Sequence, residues 1–97
     1  MLGPAAKANK LFDAMHVIAK ELRMSEEGRR GLEALTDHPR AGVRLNAAAH
    51  VLLWAPELAV PVLEAISRSS GPDFGLSPTT ARYTLKAFHE GTLNLDW

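Results

Sequence analysis

The chain has 97 residues, 46% of them hydrophobic and 23% charged, which is the composition of one globular domain and excludes an intrinsically disordered chain. Eleven Lys and Arg residues balance eleven Asp and Glu, so no net field draws the chain to nucleic acid or an anionic membrane. Cysteine is absent, which excludes disulfides, thiolate nucleophiles and cysteine-based metal sites and fits a reducing compartment. MLGPAAKANKLF lacks the apolar stretch of a signal peptide, and no apolar run approaches the ~20 residues needed to span a bilayer. A single cytoplasmic domain over residues 1–97 is expected, with residues 1–4 as a ragged, disordered start.

In chain order, Leu11, Met15, Ile18 and Leu22 recur at helical spacing with Phe12 and Ala19 beside them, while Asn9, Asp13, His16 and Lys20 fall opposite. This pattern predicts an amphipathic first helix over about residues 5–23, with Val17 the one apolar residue out of place. Ser25 suits the N-cap of a second helix, with Glu26 and Glu27 at its positive end and Leu32 and Leu35 on its apolar side. That helix is expected to stop near Thr36. Asp37 then reads as the cap of a third helix, with Pro39 in its first turn, running to about Trp54 and apolar nearly all round, as a buried central helix would be. Ala55-Pro56 opens a fourth helix through Val60, Val62, Leu63 and Ile66, with Pro61 kinking its first turns. SRSSGPDFGLSP, residues 67–78, is a loop, and a fifth helix over residues 79–90 closes at Gly91. Five helices and no strand predict an all-α fold.

Leu32-Glu33-Ala34-Leu35 matches Leu63-Glu64-Ala65-Ile66 at an offset of 31, and Val43-Arg44 matches Ala81-Arg82 at an offset of 38. The difference of seven is what a longer loop before the fifth helix produces, so the order reads as one two-helix unit repeated. On the helical wheel Arg44 shares a face with Ala48 and Val51, which makes it a structural residue with its stem packed and its head paired to Asp37 or a neighbouring turn. The matching face of the fifth helix carries Arg82, Lys86 and His89, the polar outer face that a terminal repeat needs.

Asp37, the Pro-containing turn, Val43-Arg44 and Ala47-Ala48 resemble the signature of HEAT repeats. The resemblance implies a short right-handed α-α superhelix, two repeats plus an N-terminal helix, with the inner helices lining a concave surface. From Ala8 to Leu95 the chain also resembles a bacterial family of small HEAT-like domains of unknown function. The matching features are Asn9-Lys10, Glu21-Leu22-Arg23, His38-Pro39, Val43-Arg44-Leu45, Ala47-Ala48, His50, Pro56-Glu57, Ala59, Pro61-Val62-Leu63-Glu64, Thr84-Leu85 and Gly91. Phe88 stands where that family leads one to expect Trp, and Asn46 where it leads one to expect an aromatic residue.

Asn46, His50 and Trp54 form a stripe at i, i+4 and i+8 on the third helix. Polar residues in an apolar helix need partners, and two readings stand open. Either the stripe is core, with Trp54 plugging a helix end and its N–H bonded to a carbonyl, or it lines a partner-binding surface. Arg82, Tyr83 and Lys86 are weaker partner-binding candidates, since the end-cap already accounts for Arg82 and Lys86. His16, His38, His50 and His89 lie on different elements without metal-ligand spacing, and no nucleophile, phosphate-loop or dinucleotide motif is present. The expectation is a non-enzymatic protein-binding module, monomeric or weakly dimeric, with no metal or cofactor. Its resemblance to small HEAT-like proteins found beside secreted toxins implies an immunity protein that occludes a cognate toxin. The alternatives are a HEAT-like nucleic-acid-binding protein, with Lys7, Lys10, Arg40 and Arg82 gathered on one face, or a subunit of a larger assembly.

Overall fold

The structure is a computed structural model that describes the backbone of residues 4–97 and the side chains from Phe12 onward. Its helices in chain order are α1 (Pro4–Leu22), α2 (Glu26–Leu35), α3 (Ala41–Val51), α4 (Pro56–Ser67) and α5 (Ser77–Glu90). The all-α class is therefore correct, and no strand occurs among the described residues. The expectation for Met1 to Gly3 lies outside the described residues, whereas Pro4 already opens α1.

Local chemistry explains most helix ends. Ser25 caps α2 through its hydroxyl, which accepts from the Gly28 N–H at 3.0 Å, and Glu26 and Glu27 sit at the positive end of the helix. Pro56 starts α4 where a missing N–H costs nothing, and Pro61, exposed on the solvent side, cannot donate to the Glu57 carbonyl. Gly91 closes α5 at φ 75°, a left-handed backbone that glycine adopts freely. The Gly91 and Thr92 N–H groups return to the carbonyls of Phe88 and Ala87 at 3.2 and 2.8 Å, and this paired cap turns the chain back toward the helices.

Two sequence-based boundaries need correction. The third helix begins at Ala41, with Arg40 and not Asp37 at the cap position, and it ends at Val51 with residues 52–54 in a turn. The turn before α3 is organised by other groups. His38 Nδ1 accepts from the Arg40 N–H at 3.0 Å, and Arg44 donates to the carbonyls of His38 and Pro39, both at 2.9 Å. Arg44 is thus paired with a neighbouring turn, not with Asp37. Arg82 of α5 instead donates to the Ser67 carbonyl at the end of α4 at 2.9 Å, tying the two helices across their loop. The side chains of Arg82, Lys86 and His89 are exposed, as an outer face requires.

The larger correction concerns α1. Its buried side runs through His16 and Ala19, with Phe12 and Arg23 partly buried, while Ile18 is as exposed as Val17. Met15, Ile18 and Leu22 instead border a shallow apolar groove against Leu32, Leu35 and Val43. Leu11, Asn9 and Lys10 lie outside the residues whose side chains are described, as does Lys7.

At the centre is α3, which packs against all four other helices. Ala47, Ala48 and Ala49 are buried on it, and side chains this small let neighbouring helices approach on several sides at once. Leu32, Val51, Leu63 and Ile66 fill the core around them. Both α1 and α5 pack on α3 with no substantial contact between themselves, and this leaves a groove over α3.

Gly28 marks the tightest crossing in the fold. A Cβ there would sit 1.8 Å from the Leu22 carbonyl oxygen, so the start of α2 can lie against the end of α1 only without a side chain. Alanine normally stabilises a helix relative to glycine by about 0.5–1 kcal/mol. Gly31→Ala, with nothing within 4 Å of its would-be Cβ, should follow that rule in chemical denaturation. Gly28→Ala should reverse it and destabilise by about 1–3 kcal/mol or more, because backbone must move. Stabilisation by both substitutions would contradict the close crossing.

Candidate functional site

The groove over α3 holds the polar chemistry of the molecule. Its floor is Leu45, Asn46, Ala49 and His50 of α3, one wall is Phe12 and His16 of α1, and the other is Thr80, Tyr83, Thr84 and Ala87 of α5. The segment 92–97 after α5 lies along it, and a cavity of about 410 Å³ remains between these walls.

Beneath that segment three side chains form a directed chain. His50 Nδ1 lies 3.2 Å from the Arg23 guanidinium, and His50 Nε2 lies 3.1 Å from His16 Nδ1. A guanidinium has no acceptor, so His50 Nδ1 must accept and the ring proton of neutral His50 is on Nε2. That proton is donated to His16 Nδ1, which places the His16 proton on Nε2. Both rings are buried, at 2% exposure for His16 and 1% for His50. Burial drives the His50 pKa down from 6.5 to about 4, helped by neighbouring His16, Arg23 and Lys20 and opposed by Asp96. Burial also lowers His16; the Trp97 main chain opposes this, and Lys20 and Arg23 add to it. Both histidines are neutral near pH 7.

The far end of the chain is unsatisfied. Among the described residues His16 Nε2 makes no well-formed hydrogen bond, and the buried amide nitrogen of Asn46 has no partner either. The Trp97 main chain approaches the His16 ring closely enough to act on its pKa but not to close a bond. Buried polar atoms without partners are costly, and an occupant of the groove that supplies an acceptor would offset that cost at His16. Asn46 borders both this groove and the apolar one beside α1 and α2. No group of three or more His, Asp or Glu residues is placed to hold a metal ion, again among the described residues. No described helix is long and apolar enough to cross a membrane.

Asn46, His50 and Trp54 do not form a solvent-facing stripe. Asn46, at 5% exposure, and His50 lie under the groove, where segment 92–97 screens them from solvent. Trp54 points elsewhere, its indole N–H donating to Glu33 of α2 at 2.7 Å. That bond, and then the one from Arg30, holds the Glu33 carboxyl below the usual carboxylate range. Trp54 therefore plugs a helix end with its N–H bonded, to a carboxylate and not to a carbonyl. Of the weaker candidates, Tyr83 stands on the groove wall at 68% exposure, and Arg82 and Lys86 are exposed on the same helix outside the groove lining.

Sequence reasoning missed His16, Arg23 and Trp97. His16 falls on the polar side of the predicted first helix, and its partner lies 34 residues away on another element, so no spacing rule links them. The available signal was His50 itself, a titratable residue inside an apolar helix that had to find a partner.

The histidine chain makes a pH prediction. Folded pKa values below the unfolded value mean that the unfolded chain takes up protons first as the pH falls. The stabilisation is complete above about 6.5 and is lost as the pH drops toward about 4. The wild type should lose on the order of 1–3 kcal/mol over that window beyond the loss of His50→Gln, which cannot take up the proton. Urea denaturation of both proteins across the window measures this, and parallel curves would contradict it.

No curated protein and no solved structure matches the chain. A family model does, over residues 4–88, a span that covers all five helices but for the last turn of α5 and stops short of the segment lying in the groove. The chain belongs to that family, the domain of unknown function DUF2019.

Proposed function

We propose that the chain is a small HEAT-like protein-binding module that grips its partner in the groove between α1 and α5. The observation that carries this reading is the groove itself: about 410 Å³, walled by two helices, mostly apolar, with the Thr80, Tyr83 and Thr84 hydroxyls along one side. Apolar concavities with a few placed polar groups are where proteins bind other molecules. Tyr83 is the natural anchor on the wall, since tyrosine combines apolar area with a hydroxyl and is enriched among residues that dominate interfaces. Arg44 and Arg82, each donating to main-chain carbonyls between its own helix and the one before it, support the repeat and hence the HEAT-like reading.

Narrower still, the partner is a toxin domain that the module occludes as an immunity protein, a reading supported by family resemblance alone. The nucleic-acid alternative finds less support, because Arg23, beside the groove, is already paired with Asp96 and the chain carries no net charge. The test is affinity capture from the native cells at physiological salt, with wild type and Tyr83→Ala compared. Tyr83→Ala should leave the melting temperature unchanged, because the side chain is exposed, and weaken the captured partner about tenfold or more. A partner held equally by both proteins, or none held by either, would contradict the proposal.

A further inference from the structure

Thr92 is tied back to the Ala87 carbonyl and Leu93 packs against the core. Beyond them, segment 92–97 is held by a small set of contacts from its last residues. The Trp97 ring stacks on His16 with centroids 3.6 Å apart and planes 10° apart, and more loosely on Phe12 at 6.5 Å. Asp96 pairs with the Arg23 guanidinium, which also donates to the Leu95 carbonyl at 3.3 Å. Lys20 donates to the Trp97 carbonyl at 2.9 Å. The segment thus reads as a ligand motif: an acid for Arg23, an aromatic ring for His16, and a main-chain carbonyl for Lys20.

The fit is incomplete. Trp97 remains 56% exposed and the Asp96 side chain 81%, so the ion pair is well solvated and contributes little. A cavity remains beside the segment. The buried N–H of His16, which the directed chain aims away from His50, is approached by the Trp97 main chain without a well-formed hydrogen bond. A peptide that kept the aromatic stack and the ion pair while adding one oxygen opposite His16 Nε2 would hold the groove better than residues 92–97 do.

From these observations we infer that the groove is a docking site for an extended acid–aromatic segment of a partner protein, and that residues 92–97 occupy it as an intramolecular stand-in. This rests on the protein-binding reading above and names the chemistry recognised. A segment tethered at Gly91 acts at an effective concentration on the order of millimolar, so a partner must outcompete it. Weakening the stand-in should therefore open the site.

The test is a titration, by fluorescence anisotropy, of a labelled peptide of residues 91–97 with both ends blocked. It is added to the full chain and to the full chain carrying Asp96→Ala and Trp97→Ala. The peptide should bind the double variant at least ten times more tightly than the wild type, and a peptide carrying the same two alanines should not bind. Equal binding to both proteins, or no binding to a variant whose far-UV circular dichroism matches wild type, overturns the inference. Should the double variant unfold, Asp96→Asn replaces it, with about threefold tighter binding than wild type expected and an unchanged affinity overturning the inference. Failure of the peptide to bind while partner capture still depends on Tyr83 overturns the stand-in alone; failure of both experiments overturns the protein-binding reading as well.

Discussion

The Arg23–His50–His16 chain is the constraint around which the rest of the molecule is arranged. Its direction is fixed by chemistry at one end: a guanidinium only donates, so each imidazole accepts on Nδ1 and carries its proton on Nε2, which His50 donates to His16. Burying two imidazoles is tolerable only while they stay neutral and bonded, and the chain achieves both for the shared atoms. It also couples three parts of the fold. His16 and Arg23 belong to α1 and the residue just after it, and His50 to α3. The nitrogen of Arg23 that faces His50 also donates to the Leu95 carbonyl, while the other pairs with Asp96. Disturbing any member changes the docking of α1 and the seating of segment 92–97 together.

The groove follows from how α3 meets its neighbours. Alanines along α3 admit helices on several sides, while His50 and Asn46 mark the side where α1 and α5 diverge. Polar atoms on this floor that still need partners are better satisfied by an occupant that brings acceptors. Residues 92–97 cover this floor without completing it, and the sharp left-handed turn at Gly91 is what delivers them there. The family's matched region supplies the helices that wall the groove, while the segment that lies in it falls beyond that region.

Much of the scaffold was legible in the sequence because its signals are local. The five helices, the Ser25 cap, the Gly91 stop and the turn-binding role of Arg44 all depend on neighbours within a few positions. The orientation of α1 was not legible. Met15, Ile18 and Leu22 make the stronger apolar stripe, yet burial follows His16 and Ala19, because the helix turns its histidine toward His50 and leaves the stripe bordering a surface groove. Asp37 misled in the same way: it is a good capping residue, but His38 and Arg44 had already organised that turn. The site was half visible. Asn46 and His50 stood out as polar residues in an apolar helix, but their neighbours come from α1 and from residues 95–97, at separations that no periodicity encodes.

The protonation pattern of the two buried histidines tests this account most directly. Long-range ¹H–¹⁵N correlation spectra of the imidazole rings distinguish the Nδ1–H tautomer, the Nε2–H tautomer and the imidazolium. At pH 7 both His16 and His50 should appear as neutral Nε2–H tautomers, and His50 should stay neutral until the pH nears 4. An Nδ1–H signal for His50, or an imidazolium at either position at pH 7, would contradict the directed chain and the groove chemistry built on it.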